Sequence, residues 1–324
     1  MNKPLLSVCL ITYNHVKYIK QAIEGVLMQK TSFDFEFIIA DDCSTDGTTE
    51  IVKKYAASNP RLIRTILQES NVGAAINYVN LLEAATGKYI AYFEGDDYWI
   101  DNTKIEKQVK FLEANPDYSL CFHNVYILEN GKRKKSLQFE IPDTSDINYL
   151  LSHPGYITSL SIVYRNSLNI IPMIKELINC PFGDFITYVA VAQTGLIKYF
   201  SERMGVYRRH STGTWSTLGM KKIFENTLVA YRMLYRQLPP IQGEMLKMRY
   251  LHTIENYFLQ NEFVYDDEEF NKLLIEEMKI EPYVLNFLKQ NCEERKKVFH
   301  YTSRVPFSIL LKSLQEKLYS KIFS

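Results

Sequence analysis

The sequence predicts an α/β protein with a mostly parallel central sheet, followed by an α-helical C-terminal extension. Apolar runs typical of buried strands alternate with helical spacings through roughly the first 100 residues. Acidic and turn-forming residues directly follow several of these runs, and beyond residue 218 the apolar residues keep helical spacing. We therefore predict an α/β domain over residues 1–218 and a helical extension over residues 219–324.

The N-terminal elements follow from their hydrophobic patterns. Residues 5–12 are almost continuously apolar, as in a strand that is buried on both faces. The apolar residues that come next, from Val16 to Leu27, recur at helical spacing. Thr48 is placed to cap a later helix, because its hydroxyl can accept an unpaired backbone N–H. The predicted strands cover residues 5–12, 35–40, 61–67 and 88–94, and the predicted helices cover 16–27, 50–57 and 73–85.

The later elements are less regular. We predict strands within residues 119–164, with a basic turn at 130–135, then a loop entering a helix over 181–195 and a strand over 196–208. Residues 295–324 hold seven basic residues and one acidic residue, a net charge of +6, and an apolar repeat at helical spacing. This repeat predicts a helix packed on the α/β domain or on a second copy of the chain, or peripheral contact with an anionic membrane.

Composition excludes several classes of protein. Hydrophobic residues make up 46% and charged residues 23% of the chain, which is the balance of an ordered globular protein. The net charge of +1 argues against a nucleic-acid partner. The five cysteines form no CxxC pair, which indicates reduced thiols. No apolar run approaches the ~18 residues that span a bilayer, and no cleavage site follows the N-terminal apolar stretch. We expect a cytoplasmic protein with at most peripheral membrane contact.

Polar side chains follow the predicted strands at the edge where a parallel sheet binds its ligands. Paired carboxylates suit a hard divalent cation, and an acid at a strand end can accept a hydrogen bond from a nucleobase. An Asp-rich turn formed for backbone reasons is the alternative. We assign Asp42 to a ligand and Asp46 mainly to the turn. The residues at the strand ends are Thr12, Tyr13, Asn14, Asp41, Asp42, Glu94, Asp96 and Asp97.

Two phosphate-binding motifs are absent from the sequence. No GxGxxG follows the first predicted strand, and no GxxxxGK[ST] occurs anywhere in the chain. These glycine-rich loops supply the backbone N–H groups that hold phosphates in dinucleotide-binding oxidoreductases and P-loop NTPases. Both classes are therefore excluded.

Five motifs occur in an order that resembles the family 2 glycosyltransferases of the GT-A fold. They are SVCLITYN, IIADDCSTDGT, GKYIAYFEGDDYW, PFGDFITYVA and YRRHSTGTWS, and together they cover about residues 4–216. The chain is most similar to bacterial enzymes that build surface polysaccharides, such as capsule and lipopolysaccharide, from nucleotide sugars. The resemblance implies a Rossmann-like nucleotide-sugar-binding domain.

The resemblance also implies roles for the matched residues. Tyr13 would stack on the nucleobase, uracil in most relatives, and Asp42 would accept a hydrogen bond from it. In the DXD-type metal motif, Asp96 would approach the ribose and metal, and Asp97 would be the direct ligand of Mg²⁺ or Mn²⁺. Asp184 matches the family's catalytic base. The implied nucleotide-binding residues are Thr12, Tyr13, Asn14, Asp41, Asp42 and Asp96.

Two further positions qualify the resemblance. His210 lies where some relatives place a residue near the metal or the diphosphate. Cys43 replaces a more usual Gly or Asn, which bears on the shape of the turn after the second strand. The helices predicted after residue 218 have no counterpart that we can match.

The implied chemistry is a metal-dependent, inverting sugar transfer. A metal would neutralise the charge on the leaving nucleoside diphosphate, and Asp184 would take the proton of the acceptor hydroxyl. The predicted donor is a UDP-sugar, and the predicted acceptor is a glycan or a lipid-linked glycan. Two alternatives stay open: a sugar nucleotidyltransferase, and a catalytically silent subunit that binds nucleotide sugars or assists assembly.

Overall fold

The computed structural model describes residues 3–135, 140–166, 170–211, 213, 218–260, 281 and 283. Within these residues ten strands form one sheet. The strands β1 to β10 are Leu6–Thr12, Phe35–Asp41, Ile63–Leu67, Tyr89–Glu94, Tyr98–Trp99, Tyr118–Glu129, Lys132–Lys135, Thr144–Ser145, Val163–Arg165 and Leu196–Arg209. All predicted strands of the N-terminal half are present within two residues of their predicted bounds.

Helices cover the sheet and continue after it. The N-terminal helices confirm the predicted alternation, and the basic turn at 130–135 is confirmed as the β6–β7 hairpin. The prediction of strands only within 119–164 was wrong for one segment, which forms a short helix begun by an Asp146 side-chain cap. The α-helices α1 to α9 are Ile19–Leu27, Thr48–Ser58, Ala74–Ala84, Lys104–Ala114, Ile147–Ser152, Ile170–Glu176, Gly183–Ala192, Met220–Tyr235 and Pro240–Gln260.

The sheet has a parallel half and a mixed half. Its order is β3-β2-β1-β4-β9-β6-β10-β5, and the strands from β3 to β4 are parallel to their neighbours. Strand β9 runs antiparallel between β4 and β6, whereas β6 and β10 are parallel to each other. All seven residues of β1 are buried, because helices cover both of its faces. The predicted α/β class is confirmed, and its parallel part ends at β4.

Two hydrophobic clusters fill the faces of the sheet. One packs β1, β2 and β4 against α1 and α4. The other packs the opposite face against α3, α5 and α7, and it also includes Leu228 of α8 and Tyr250 of α9. The first two helices after residue 218 therefore share a core with the α/β sheet. The boundary at 218 itself stays a prediction.

The strand directions bring the predicted site to one edge. Strands β1, β2, β4, β6 and β10 all run the same way, so their C-terminal ends meet at one edge of the sheet. No helix in the described ranges is long and apolar enough to cross a bilayer. The amphipathic repeat within 295–324 lies outside the described residues.

Candidate active site

The end of β1 presents an exposed aromatic ring. The Tyr13 side chain is 43% exposed, which is unusual for a large ring beside a buried strand. Asn14 has φ 54°, a left-handed conformation that Asn tolerates. Its N–H donates to Ser44 Oγ at 2.9 Å, and its Oδ1 accepts the Thr45 N–H at 2.9 Å. The loops after β1 and β2 are thereby joined, and the Tyr13 ring remains open to a flat ligand.

Asp41 and Asp46 shape the loop after β2. The Asp41 carboxylate accepts hydrogen bonds from the hydroxyls of Ser44 and Thr49. Asp46, two residues before the start of α2, accepts the Thr48 N–H on its Oδ1 at 3.0 Å; Thr48 is the first residue of this helix, so its predicted capping role was wrong. The turn role predicted for Asp46 is confirmed. The contacts of Asp41 lie within its own loop, and its predicted contact with a nucleotide stays a prediction.

Asp42 lies between β2 and the start of α3. Its two carboxylate oxygens accept the backbone N–H groups of Val72 at 2.8 Å and Gly73 at 3.0 Å. Each oxygen keeps a second lone pair, so a further donor can still bind. Cys43 has φ 62°, which explains why this turn favours Gly or Asn. The contact of Asp42 with a base stays a prediction.

Asp96 and His210 face each other across the ends of β4 and β10. The distance from His210 Nε2 to Asp96 Oδ2 is 3.0 Å. Burial acts to raise the pKa of Asp96, but the hydrogen bond to His210 and the nearby His15 outweigh it and hold the pKa below its ordinary value. The structure thus brings together two residues that lie 114 positions apart in the sequence.

Asp97 and Arg208 fix the geometry of this pair. The Arg208 N–H donates to Asp97 Oδ1 at 2.8 Å, and its guanidinium donates to the Asp96 carbonyl and to the Gln21 side chain. The same guanidinium lies 4.3 Å from the centre of the Tyr98 ring. Burial and the neighbouring Asp96 charge raise the pKa of Asp97 well above its ordinary range. Asp97 is more enclosed than Asp96, and its direct ligation of a metal stays a prediction.

Asp184 and Glu94 form a second acidic group. Asp184 lies in the first turn of α7, beside the Tyr188 hydroxyl, and burial raises its pKa. Glu94 accepts hydrogen bonds from Tyr92 at 3.0 Å and Ser159 at 2.5 Å, and burial raises its pKa to about 7. Each carboxylate with a raised pKa is a stronger base than an exposed one.

The sequence analysis missed three residues of the cluster around His210. The Tyr18 ring centre lies 4.7 Å from the His210 ring centre, and His15 Nδ1 lies 3.2 Å from Thr12 Oγ1. His15, Tyr18 and Gln21 recur every third residue; His15 and Tyr18 lie in the turn before α1, and Gln21 lies in its first turn. That spacing of polar residues directly after the first strand was the available signal.

Asp96 and His210 fit a divalent cation. A carboxylate oxygen and an imidazole nitrogen already turned toward each other are two ligand atoms of the kind that Mn²⁺ accepts, and the carboxylate alone suits Mg²⁺. The described residues contain no group of three or more His, Cys, Asp or Glu side chains arranged to hold a metal by themselves. A cation here would therefore take further ligands from water or from a bound diphosphate.

Solved structures with the same architecture identify the fold. The chain matches residues 1–349 of TarS from S. aureus in complex with UDP-GlcNAc, with a TM-score of 0.62 over 89% of this chain and 80% of that one, at 18% identity. It also matches the mannosyltransferase PcManGT from Pyrobaculum calidifontis in complex with GDP-Man and Mn²⁺, with a TM-score of 0.55 over 97% and 80%, at 14% identity. The fold is that of the GT-A glycosyltransferases.

The family model of glycosyl transferase family 2 matches residues 7–172, and the chain belongs to this family. It is 38% identical to an uncharacterized protein of Mycobacterium tuberculosis over 222 residues, 65% of this chain and 60% of that protein. It is 37% identical over 125 residues to the UDP-Glc:alpha-D-GlcNAc-diphosphoundecaprenol beta-1,3-glucosyltransferase WfaP of Escherichia coli, 38% of this chain and 47% of that protein. The matches thus span about 60% or less of these relatives' lengths.

Proposed function

We propose that this protein transfers a sugar from a UDP-sugar to a glycan or lipid-linked acceptor in bacterial surface-polysaccharide synthesis. The observation that carries the proposal is the pairing of Asp96 with His210 at the sheet edge that also bears Tyr13 and Asp184. Membership of glycosyl transferase family 2 supports it, as do the UDP-sugar named for WfaP and the UDP-GlcNAc bound to TarS. We propose that it acts in the cytoplasm.

The donor nucleotide is proposed to lie over the ends of β1 and β2. The exposed Tyr13 ring offers a face for the base, and Asp42 keeps lone pairs for its N–H groups. Thr12 and Asn14 support the Tyr13 loop from either side. Asp41 contributes through the shape of the same loop.

The diphosphate is proposed to lie beside Asp96 and His210, which would hold Mg²⁺ or Mn²⁺ with Asp97 as a further proposed ligand. The metal supplies charge neutralisation for the leaving group. Arg208 orients Asp96 and Asp97 through its backbone and guanidinium N–H groups. Arg208 lies in β10, whereas Asp96 and Asp97 lie in the short turn between β4 and β5 and His210 directly follows β10, so strand ends fix their positions.

Asp184 is proposed as the general base. It takes the proton of the acceptor hydroxyl while that oxygen bonds to the anomeric carbon. The anomeric C–O bond to the diphosphate breaks, and its electron pair leaves with UDP. Attack from the face opposite the leaving group inverts the anomeric centre. The raised pKa of Asp184 suits this step, since a stronger base accepts the proton more readily.

A thermal-shift panel tests the donor assignment. The full chain is heated with UDP, GDP, dTDP or CDP, each with and without Mn²⁺, and in parallel as the Asp96→Ala variant. A ligand at a hundredfold excess over its Kd stabilises the native state by about 2.7 kcal/mol, which corresponds to roughly 5–10 °C here. We expect a metal-dependent shift with UDP that Asp96→Ala abolishes. A shift with GDP alone would mean that the donor is a GDP-sugar and not a UDP-sugar. No shift with any nucleotide would support a catalytically silent subunit.

A further inference from the structure

The guanidinium groups of Arg133 and Arg203 both lie within cation–π distance of the Tyr126 ring, on strands β6, β7 and β10. Tyr126 on β6 has Arg133 Cζ at 5.2 Å and Arg203 Cζ at 5.6 Å from its ring centre. Cation–π contact favours each arginine singly, but two positive charges around one ring also repel each other. An anion between or beside them would remove the repulsion.

Arg203 holds two N–H donors with nothing to bind. Its side chain is half-buried, and its Nε and Nη2 atoms are buried without a hydrogen-bond partner. These two nitrogens form one edge of the planar guanidinium, with their N–H bonds nearly parallel. That edge is the fork that binds two oxygens of a phosphate or carboxylate at once. The unpaired fork is a cost to the folded protein that a bound oxyanion would remove.

Protein carboxylates do not neutralise this group. Within the described residues no ion pair forms at Arg133, Lys135 or Arg203. In contrast, Lys134 and Arg209 lie on the opposite face of the same strands and share Glu129, at 2.7 and 3.9 Å. One face of the β7–β6–β10 unit is therefore balanced in charge, and the other is not.

The face that carries Arg133 and Arg203 is on the same side of the sheet as α7, which bears the proposed base Asp184. Phe122 of β6 packs in the same cluster as Phe185 of α7, the residue after Asp184. Tyr126 lies four positions after Phe122, and alternation along a strand puts both on one face. The proposed base and the two arginines thus border the same side of the sheet edge.

We propose that Arg133, Arg203 and Tyr126 form a phosphate-binding subsite for the acceptor that adjoins the proposed donor diphosphate site, since Arg133 Nη2 also donates to the Tyr98 hydroxyl at 3.3 Å. The inference rests on the proposed function and names its acceptor class: a glycan that carries a phosphate or diphosphate group. The subsite requires the Arg203 side chain to turn its fork outward, beside the exposed Arg133. Two guanidinium groups and the nearby Lys135 match the double charge of a phosphate better than the single charge of a carboxylate.

The test titrates inorganic pyrophosphate, and separately glycerol 1-phosphate, into the full chain saturated with UDP. Binding is measured by calorimetry for the wild type and for Arg203→Gln, Arg133→Gln and Lys134→Gln. We expect Arg203→Gln and Arg133→Gln each to weaken binding roughly 10- to 100-fold, because each removes charge-assisted hydrogen bonds. Lys134→Gln is the matched control: it removes the same charge from the same hairpin, on the balanced face.

The two probes separate the sources of the phosphate. Tighter binding of pyrophosphate supports an acceptor linked through a diphosphate, and tighter binding of glycerol 1-phosphate supports a glycan that carries phosphodiesters. Equal affinity in wild type and Arg203→Gln, or an equal loss in Lys134→Gln, would overturn the subsite. UDP affinity is measured on every variant, so a failed donor site is recognised separately from a failed acceptor subsite.

Discussion

The region of the parallel half of the sheet (residues 3–95) and the region of its mixed half, which follows, differ in how completely their buried polar groups are paired. In residues 3–95, every buried side-chain nitrogen and oxygen has a hydrogen-bond partner, for example Asn77 Nδ2, which donates to the Ala40 carbonyl at 3.0 Å. The rest of the described chain holds every exception. The unpaired atoms include Lys104 Nζ, Gln108 Oε1, His123 Nε2, Arg203 Nε and Nη2, and Arg249 Nε.

Each of these two regions contains one Asp-Asp pair: Asp41-Asp42 in the first and Asp96-Asp97 in the second. Asp41 accepts hydrogen bonds from its own loop, and Asp42 accepts them from the loop before α3. Asp96 and Asp97 instead meet His210 and the Arg208 backbone, which come from the far end of the domain. The same dipeptide thus joins neighbouring loops in one half and gathers residues from far along the chain in the other. Buried polar groups that are fully paired in one half, with unpaired groups in the other, form the pattern expected where a stable scaffold carries a functional site.

The largest effect is expected at Asp184. An Asp184→Asn variant keeps the shape of the side chain but cannot accept a proton, so we expect kcat to fall roughly 10²- to 10⁴-fold. UDP affinity should stay the same. Release of UDP from the donor in the presence of acceptor measures the change, and Asp34→Asn, an exposed aspartate before β2, is the control. Full activity of Asp184→Asn would mean that another group is the base.

The next largest effect is expected at the Asp96–His210 pair. An Asp96→Asn variant removes the charge that faces His210, and we expect kcat/KM to fall roughly 10²- to 10³-fold, as for other groups that stabilise developing charge. The Mn²⁺-dependent part of the UDP thermal shift should disappear with it. A variant that loses activity yet keeps its Mn²⁺-dependent shift would assign the metal to other residues.

A smaller effect of a different kind is expected on the scaffold side. Asp41→Ala leaves the hydroxyls of Ser44 and Thr49 without their charged acceptor, so the free energy of unfolding should fall by about 1.5–3 kcal/mol. Below the unfolding transition, UDP affinity should stay within about threefold of wild type. Urea denaturation and UDP titration measure the two quantities. A tenfold loss of UDP affinity at unchanged stability would instead make Asp41 a nucleotide ligand.

The same divide separates what the sequence predicts well from what it does not. Strands β1 and β4 are short apolar runs closed by turn residues, and each was predictable because its burial on both faces leaves a continuous apolar signal. The turn role of Asp46 was predictable from local geometry alone. Asp96 was singled out by its position at a strand end.

The second half depends on contacts that no local pattern contains. Strand β9 is only three residues long and separates β4 from β6, so the change from parallel to antiparallel pairing has no signal in its own sequence. The hydrogen bond from the Arg208 N–H to Asp97 Oδ1 spans 111 positions. Lys104 has the pattern of a solvated helix residue, yet it is fully buried over Trp99, at 4.0 Å from the ring centre.

The smallest expected effect concerns the buried, unpaired Lys104, whose protonation tests whether the second half is less completely paired than the first. Burial lowers its pKa to about 7, far below the 10.5 of an exposed lysine. Between these two values the unfolded chain binds a proton at this position and the folded chain does not. Stability therefore rises with pH across that window, by about 1.4 kcal/mol per pH unit from this group alone, and the gain is lost as the pH falls toward 7.

The measurement is the free energy of unfolding at pH 7.5 and pH 9 for the wild type, Lys104→Met and Lys107→Met. We expect Lys104→Met to lack about 2 kcal/mol of the gain that the wild type shows, because methionine has no proton to bind. Lys107 lies one turn later on α4 and pairs with Asp101 at 2.8 Å in a more exposed position, so Lys107→Met should follow the wild-type slope. Parallel curves for all three proteins would mean that Lys104 stays protonated through partners or water beside Trp99. In that case the second half of the molecule would be as fully paired at this position as the first.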